Sequence, residues 1–190
     1  MPHVTVRAAT GRAKCRACGA AIAKGTWRIG EAVPNPYADA EGAEAMHWYH
    51  PWCAAYQRPE PALQALATLA DAADGPDDRT ALTAAAALGI AHHRLARVHA
   101  AGRATSGRAA CRHCRTPIAR DSWRLALLFW QDGRFAPAGF IHAACAAPYL
   151  GTTDLLDRIR HFTPGLSDAD LGEIAAELER PPAEGAAADA

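Results

Sequence analysis

Apolar residues recur at helical spacing in the middle of the chain and predict a pair of helices. The first begins at Pro61, a residue that favours the opening turn of a helix, and ends at Asp74-Gly75-Pro76. The second begins near Asp77 or Asp78. The positions that form the two helical faces are Leu63, Leu66, Ala70 and Ala73 in the first helix and Leu88, His92, Leu95 and His99 in the second. We interpret the pair as a helical hairpin that either fixes the separation of the segments beside it or fills the space between them.

A third helix is predicted close to the C-terminus. Ser167 and Asp170 resemble a capping box, although Glu or Gln is usual at the third helical position. An apolar stripe follows at helical spacing and consists of Leu171, Ile174, Ala175 and Leu178. We expect this helix to pack on the domain before it; the alternative is a docking site for another protein.

A strand is predicted where apolar and polar residues alternate in the second half of the chain. The residues expected to face a core are Trp123, Leu125, Leu127 and Phe129. No apolar run is long enough to cross a bilayer. Because residues 1–10 lack the apolar segment of a secretory leader, we expect a cytoplasmic protein that does not enter a membrane, associated with the nucleoid if it is bacterial.

All six cysteines of the 190-residue chain belong to one pattern that occurs twice. Each copy is a Cys-x2-Cys pair followed at a distance by His-x2-Cys. The two sets are Cys15, Cys18, His50 and Cys53, and Cys111, Cys114, His142 and Cys145. Three thiolates and one imidazole form a ligand set that tetrahedral structural zinc prefers. The pattern therefore predicts two structural Zn²⁺ ions, with no open coordination position at which zinc could activate water.

Two other uses of these cysteines explain the pattern less well. Neither three disulfides in a secreted protein nor a redox Cys-x2-Cys pair accounts for the two matching His-x2-Cys halves. His47 and His113 lie near the ligands, but only His50 and His142 stand at the same offset from a partner cysteine. The other histidines are interpreted as surface or helix residues: His3, His92, His93, His99 and His161.

The 96-residue offset from Cys15 to Cys111 predicts two similar domains. We expect small zinc-stabilised α+β domains: a first finger over residues 4–57, a helical connector over 58–102, a second finger over 103–150, a helical segment over 151–180 and a disordered tail over 181–190. Such fingers are too small for a large core. Zinc contributes on the order of 10 kcal/mol per structural site in peptides, so we expect the metal-free chain to be largely unfolded.

The net charge of zero conceals separated blocks of charge. Residues 1–30 hold six basic residues and no acid, whereas residues 103–124 hold six arginines and one acid. Residues 31–78 and 150–190 carry nine acids each. The basic blocks surround the Cys-x2-Cys pairs and suit a polyanion such as nucleic acid. Eighteen of the twenty basic residues are arginine, a bidentate partner for phosphate, although this preference also fits a G/C-rich bacterial genome.

Three short segments around the ligands resemble the zinc finger of poly(ADP-ribose) polymerases, which also occurs in a eukaryotic DNA ligase. They are Gly11-Arg12-Ala13-Lys14-Cys15, matched by Gly107-Arg108-Ala109-Ala110-Cys111; Ile22 to Arg28, matched by Ile118 to Arg124; and His47-Trp48-Tyr49-His50-Pro51 with Cys53. The second copy departs from the last motif with Gly139-Phe140-Ile141-His142. The 31 and 27 residues between ligand pairs are too many for the finger with two cysteines and two histidines, whose short helix reads the major groove.

This resemblance implies binding to DNA strand breaks, because fingers of the family cover the base pair exposed at a nick or end. It assigns Arg12, Arg28, Arg108 and Arg124 to the DNA phosphates. Arg7, Arg16, Arg103, Arg112 and Arg115 are weaker candidates. In the second finger, Trp130-Gln-Asp-Gly133-Arg134-Phe135 resembles the family's apolar loop, so Trp130 and Phe135 are the predicted stacking residues. In the first, Tyr37 and Met46 are predicted, although Glu41 and Glu44 in the same loop oppose phosphate binding.

We therefore expect a non-catalytic sensor of nicks, gaps or ends that acts in DNA repair and is monomeric in solution. The connector and tail are too short for a polymerase catalytic domain, and no catalytic motif is evident. A repair enzyme could contact the helical or acidic segments. The alternatives are a zinc-stabilised adaptor that binds proteins and a module that binds RNA.

Overall fold

The computed structural model of the protein describes residues 2–35, 42–69 and 75–181. The chain divides into two compact units, Met1–Ala91 and His92–Ala190. All six cysteines lie within the described residues and none forms a disulfide. Within this part of the chain, every helix is too short or too polar to span a membrane.

The first unit is a three-stranded antiparallel sheet followed by three helices. Its strands are β1 (Val4–Arg7), β2 (Trp27–Pro34) and β3 (Glu44–Tyr49), with β2 in the centre. Its helices are α1 (Pro51–Gln57), α2 (Pro59–Ala67) and α3 (Arg79–Ala91). Prolines stand in the first turns of α1 and α2, where a missing backbone N–H costs nothing. Helix α2 packs on β1 and β2, and α3 packs on α1 and α2.

The second unit has the same order of elements. A 3₁₀ turn (Leu95–Arg97) leads into β4 (Val98–Arg103), β5 (Trp123–Gln131) and β6 (Arg134–His142), again with the middle strand in the centre. A second 3₁₀ turn (Ala143–Cys145) opens into α4 (Ala146–Leu150), α5 (Leu156–Phe162) and α6 (Asp168–Glu179). Helix α5 packs on β4, as α2 packs on β1. The repeat therefore includes the helices as well as the zinc-ligand segments.

The segment 58–102, predicted as a connector, is divided between the two units. The predicted pair of helices exists as α2 and α3, which pack on each other, but both belong to the first unit. Helix α2 begins at Pro59, two residues before the predicted start, and the predicted end at Asp74 lies outside the described residues. The second finger begins with β4 at Val98, before the predicted boundary at Arg103.

The predicted helical face through His92 and His99 is wrong. Helix α3 ends at Ala91, Leu95 lies in a 3₁₀ turn, and His99 lies in β4. Leu95 and Val98 are both fully buried. The residues of the predicted face therefore belong to different elements: Leu88 to α3, Leu95 to the 3₁₀ turn and His99 to β4.

The predicted alternation in β5 is right for three of its four residues. Trp123, Leu125 and Leu127 are buried, whereas Phe129 is 40 % exposed. The strand pairing shifts between Leu127 and Leu128, where β6 contains an extra residue. Beyond this bulge the β5–β6 hairpin extends past the core, and the guanidinium of Arg97 lies over the Phe129 ring at 4.9 Å.

The C-terminal helix has the predicted cap and packing. The Ser167 hydroxyl accepts a hydrogen bond from the Asp170 backbone N–H, and the Asp170 carboxylate accepts one from the Ser167 backbone N–H. Leu171, Ile174 and Leu178 are buried, and α6 packs on the 3₁₀ turn at Ala143–Cys145. The interpretation that this helix packs on its own finger is confirmed. Residues 182–190 of the predicted tail lie outside the described residues.

Candidate metal centres and nucleic-acid interface

The four predicted ligands of the first finger converge at one point. The loop before β2 supplies Cys15 and Cys18, His50 follows β3, and Cys53 lies in the first turn of α1. Their ligand atoms all lie within 4.8 Å of one another. His50 Nδ1 is 3.4 Å from Cys18 Sγ and 3.9 Å from Cys53 Sγ. Tetrahedral zinc with Zn–S bonds of about 2.3 Å requires separations of about 3.8 Å between ligand atoms, so the cluster fits the ion.

The second finger repeats this arrangement with nearly the same distances. Cys111, Cys114, His142 and Cys145 also have ligand atoms within 4.8 Å of one another. His142 Nδ1 is 3.4 Å from Cys114 Sγ and 3.8 Å from Cys145 Sγ. The backbone N–H of the histidine donates to the first cysteine in both fingers, at 3.5 Å from His50 and 3.4 Å from His142. Each cluster can hold one Zn²⁺ ion with all four protein ligands engaged.

The surroundings of the first cluster set the histidine tautomer. His50 Nε2 lies 3.3 Å from the Ala21 carbonyl oxygen, which accepts a hydrogen bond from the Nε2–H group. Because Nε2 carries the hydrogen, Nδ1 keeps the lone pair that a metal needs. Hydrogen bonding to the next shell of residues is usual for a histidine that binds a metal.

One thiol in each cluster is poised to ionise. In the first, hydrogen bonds from Cys53 and His50 outweigh burial and lower the pKa of Cys15 to about 3. In the second, burial opposes ionisation of Cys114, but hydrogen bonds from Thr116, Cys111 and Cys145 together outweigh it and lower the pKa to about 6. Burial and the neighbouring sulfurs raise the pKa of the Cys18, Cys53 and Cys145 thiols, so zinc must displace protons from these three when it binds as a thiolate complex.

The two histidines that compete for the ligand role lie outside the clusters. His47 is buried in β3 opposite Glu31, on the helix-covered face of the sheet. His113 packs edge-on against the Tyr149 ring, with centroids 6.3 Å apart. The matching offsets of His50 and His142 therefore identify the ligand histidines correctly.

An arginine stacks on an aromatic ring beside the zinc-binding histidine in each finger. The Arg28 guanidinium lies 3.5 Å from the centroid of the Trp48 ring, and that of Arg124 lies 3.8 Å from the Phe140 ring. Burial lowers the pKa of Arg28, and its Nε has no hydrogen-bond partner among the described residues. Stacking holds both guanidiniums in place and leaves N–H groups that can donate hydrogen bonds to an anion.

The other two predicted phosphate ligands extend from the loops that carry the first cysteine of each cluster. Arg12 and Arg108 are both exposed. Within the described parts of the chain, neither guanidinium makes a hydrogen bond or an ion pair. Both side chains are therefore available to a partner.

The predicted stacking residues of the second finger are brought together. Trp130 and Phe135 are directly opposite each other in β5 and β6, and their rings lie 4.7 Å apart. The tight turn between them has positive φ at Asp132 and Gly133, which suits a two-residue hairpin. Alternation along β5 places Trp130 on the same face as Arg124.

The first finger offers a different surface. Met46 lies in β3 rather than in a loop, and Tyr37 lies outside the described residues. Met46 and Trp48 line a groove of about 450 Å³ together with Ala13, Lys14, Cys15 and Arg16. Sequence reasoning missed Trp48 and Phe140 as partners of the arginines. Each of these aromatic residues stands two positions before the ligand histidine of its finger, and this shared position is the signal that could have marked them.

The weaker arginine candidates have varied surroundings. Arg7 and Arg103 stack on Trp27 and Trp123. Arg112 donates from Nε to the Ala138 carbonyl oxygen at 2.9 Å and so lies along β6. Arg16 and Arg115 are exposed, and Arg115 adopts a left-handed backbone conformation.

The clusters and the repeated sheets define a tandem zinc-finger protein, in which each finger has three cysteine ligands and one histidine ligand. Residues 7–78 match the family described as the poly(ADP-ribose) polymerase and DNA-ligase zinc-finger region. This match covers most of the first unit, and the second unit repeats the same cluster and element order. Zinc binding and DNA binding are the properties associated with the family, and its finger is not catalytic by itself.

Proposed function

We propose that this protein binds DNA strand breaks without regard to sequence and serves DNA repair without catalysing a reaction. One observation carries the proposal. In each finger, an arginine stacked on an aromatic ring lies on the sheet face that the helices leave uncovered, next to the zinc cluster. Arginines in such positions hold phosphates, and phosphate contacts alone do not read sequence.

The second finger supports recognition of a break rather than of continuous duplex. Its aromatic pair Trp130–Phe135 shares a sheet face with Arg124 and Phe140. In continuous DNA, stacking hides the faces of the base pairs, whereas a nick or an end exposes one. Stacking of an aromatic side chain on an exposed base is worth about 1–3 kcal/mol. We infer that Trp130 and Phe135 cover the exposed base pair while Arg108 and Arg124 hold the flanking phosphates.

The first finger offers DNA a different set of contact residues. Arg12 is exposed, Arg28 is stacked, and the groove beside Met46 and Trp48 is lined by Lys14 and Arg16. This combination of positive charge with an aromatic ring suits the backbone and a stacked base at the other side of the lesion. Glu44 lies on the same strand as Met46 and weakens the field there. We expect the first finger to bind more weakly than the second.

Three substitutions in the second finger separate phosphate binding from stacking. Arg108→Ala should weaken binding to nicked and intact duplex by the same factor and lower the salt slope by about 1. Phe135→Ala should mainly reduce the preference for the nick. Arg120→Ala removes an exposed arginine that faces Asp121 at 3.6 Å and is the matched control. If Phe135→Ala keeps the full preference, the stacking assignment is wrong.

A repair enzyme is the partner that a non-catalytic break sensor needs. A protein adaptor that does not bind DNA, and a module that binds RNA, are the competing functions. Competition between nicked DNA and RNA of equal length distinguishes the RNA module. A partner captured from nuclease-treated extract, together with no affinity for DNA, would favour the adaptor.

A further inference from the structure

Each unit also contains an arginine–tryptophan pair at the end of the first strand of its sheet. Arg7 is paired with Trp27 between β1 and β2, and Arg103 is paired with Trp123 between β4 and β5. The guanidinium lies over the indole at 4.5 Å in the first unit and 4.4 Å in the second. We call these two pairs the Arg7–Trp27 clamp and the Arg103–Trp123 clamp.

In the second unit, the clamp holds a carboxylate of the protein itself. Trp123 Nε1 donates a hydrogen bond to Glu173 Oε2 at 2.9 Å. Arg103 Nη2 donates to the same oxygen. Glu173 lies on α6, so the clamp fixes this acidic helix to the sheet. An indole N–H and a guanidinium that converge on one oxygen form a charge-assisted site for a carboxylate.

The Arg7–Trp27 clamp is built to the same plan. Arg7 Nη1 donates to the Gly25 carbonyl oxygen at 2.9 Å, as Arg103 Nη1 does to that of Asp121 at 2.9 Å. Gly25 and Asp121 both have positive φ, so the supporting turns match as well. The first clamp is therefore positioned by its own unit before any ligand arrives.

No described residue supplies a carboxylate to the first clamp. Helix α3 contains no acidic residue, whereas α6 contains the glutamate that fills the second clamp. Arg7 is exposed and Trp27 is half-buried. Among the described residues, none accepts a hydrogen bond from Trp27 Nε1.

The first clamp also lies away from the surface proposed for DNA. Successive residues of a strand point to opposite faces of a sheet. Trp27 shares its face with Ile29, which is buried under the helices, whereas Arg28 and Trp48 belong to the other face. A ligand at the Arg7–Trp27 clamp would therefore approach the finger from a different side than the phosphates.

We propose that the Arg7–Trp27 clamp is a docking site for a side-chain carboxylate on an acidic segment of a partner protein. The chain's own α6 shows which chemistry fits, because the same clamp geometry in the second unit holds a glutamate. The first unit thereby binds a protein through one side of its sheet and leaves the opposite side for DNA.

Indole N–H signals in the NMR spectrum test this proposal on the zinc-loaded full chain. The protein has five tryptophans, and Trp27→Phe assigns the signal of interest. The probe is a synthetic peptide with the sequence of residues 167–180, which includes Glu173. We expect it to shift the Trp27 signal with a Kd no weaker than about 1 mM, or about −4 kcal/mol. The Trp123 signal should stay in place, because the chain's own Glu173 already occupies that clamp.

Three controls define the site. The same peptide with Glu173→Gln should bind about tenfold more weakly, which corresponds to about 1.4 kcal/mol. Arg7→Lys keeps the charge but loses the planar fork, so it should also weaken the response. Lys24→Ala removes a neighbouring positive charge outside the clamp and should leave peptide binding unchanged. Unshifted signals of the other tryptophans show that each variant is folded.

Three outcomes would overturn the proposal. The Trp27 signal could fail to move at millimolar peptide, or the Gln peptide could bind as well as the Glu peptide. The third is a Trp27 signal that moves with an intact DNA duplex and ignores the peptide, which would identify a phosphate site. No DNA break is involved, so failure here is separate from failure of the proposed function.

Discussion

A buried charge in the first unit gives a sharp prediction about stability. Glu31 on β2 is 3 % exposed and accepts hydrogen bonds from Arg58 Nε at 3.1 and 2.9 Å and from Tyr49 Oη at 3.0 Å. Arg58 Nη2 contacts the same carboxylate. The three side chains join the central strand, the edge strand and the junction between α1 and α2. Because burial disfavours the phenolate and Glu31 is negative, the pKa of Tyr49 is raised, and the hydroxyl stays a donor.

The second unit replaces this polar cluster with apolar residues. The equivalent positions, found from the strand pairing and the zinc ligands, are Leu127, Ile141 and Leu150. All three are buried, at 2 %, 0 % and 4 % exposure. The same sheet and helices therefore form around either kind of core.

Breaking the cluster should cost far more than replacing it. Removal of one partner of a buried ion pair costs about 3–5 kcal/mol, because the other charge is left without compensation. The Arg58 side chain is 19 % exposed, so water solvates it in part, and the lower value applies. We expect Glu31→Gln to destabilise the first unit by about 3 kcal/mol, which is about a hundredfold in its folding equilibrium constant. The triple replacement Glu31→Leu, Tyr49→Ile and Arg58→Leu should be neutral or stabilising.

Urea unfolding at fixed free zinc measures both effects, with the indole signal of Trp48 reporting on the first unit and that of Trp123 on the second. With a slope of about 1 kcal/mol per molar urea, Glu31→Gln should lower the Trp48 midpoint by about 3 M or unfold the unit outright. The Trp123 midpoint should not change. Glu60→Gln, an exposed acid in the first turn of α2, is the matched control and should cost less than about 1 kcal/mol. A Glu31→Gln unit as stable as the control, or a triple variant as unstable as Glu31→Gln, would refute this reasoning.

Three further predictions follow from other parts of the molecule. Cys18→Ser should reduce bound zinc from two ions to one and unfold only the first unit, and Cys114→Ser should do the same to the second, as measured by mass spectrometry under native conditions and by the indole signals. Gly30→Ala should destabilise the first unit by about 1–3 kcal/mol, because the added Cβ would lie 2.7 Å from Met46 Sδ and from Trp48 Cζ3; Gly102→Ala, with nothing within 4 Å, is the control in urea unfolding. Hydrogen bonds from the Ser167 hydroxyl and backbone N–H lower the pKa of Asp170, so this carboxylate stabilises α6 at pH values above its ordinary pKa of about 4. The contribution is lost as the pH falls through the lowered pKa. Ser167→Ala should raise the pKa of Asp170 in a carboxyl NMR titration, and the lost N-cap hydrogen bond should cost about 1 kcal/mol.

Local spacing predicted the zinc ligands and the helix cap from the sequence. The conformations of a Cys-x2-Cys turn and a His-x2-Cys turn depend on a few neighbouring residues. Only His50, and not His47, has the same offset from a cysteine as His142 in the second copy, so the repeat identifies the ligand. The same holds for Ser167 and Asp170, which bond within one helical turn. Alternation in β5 was also right as far as the core extends, up to Leu127.

Features that depend on long-range packing could not be predicted in this way. From the sequence, we assign α2 and α3 to a connector rather than to the first finger, because the strands on which α2 packs are distant in the sequence. The buried Glu31 depends on Arg58, 27 residues away. The stacking of Arg28 on Trp48 depends on the register of β2 and β3.

Binding of the zinc-loaded protein to three matched duplexes tests the central proposal most directly. One duplex is closed by hairpin loops at both ends, one has the same closed ends and a single nick, and one is blunt-ended; a chelated sample is the control. Fluorescence anisotropy at physiological salt should show a preference for the nicked or blunt-ended DNA that disappears when zinc is removed. Equal affinity for all three duplexes, or no binding to any of them, would contradict the account.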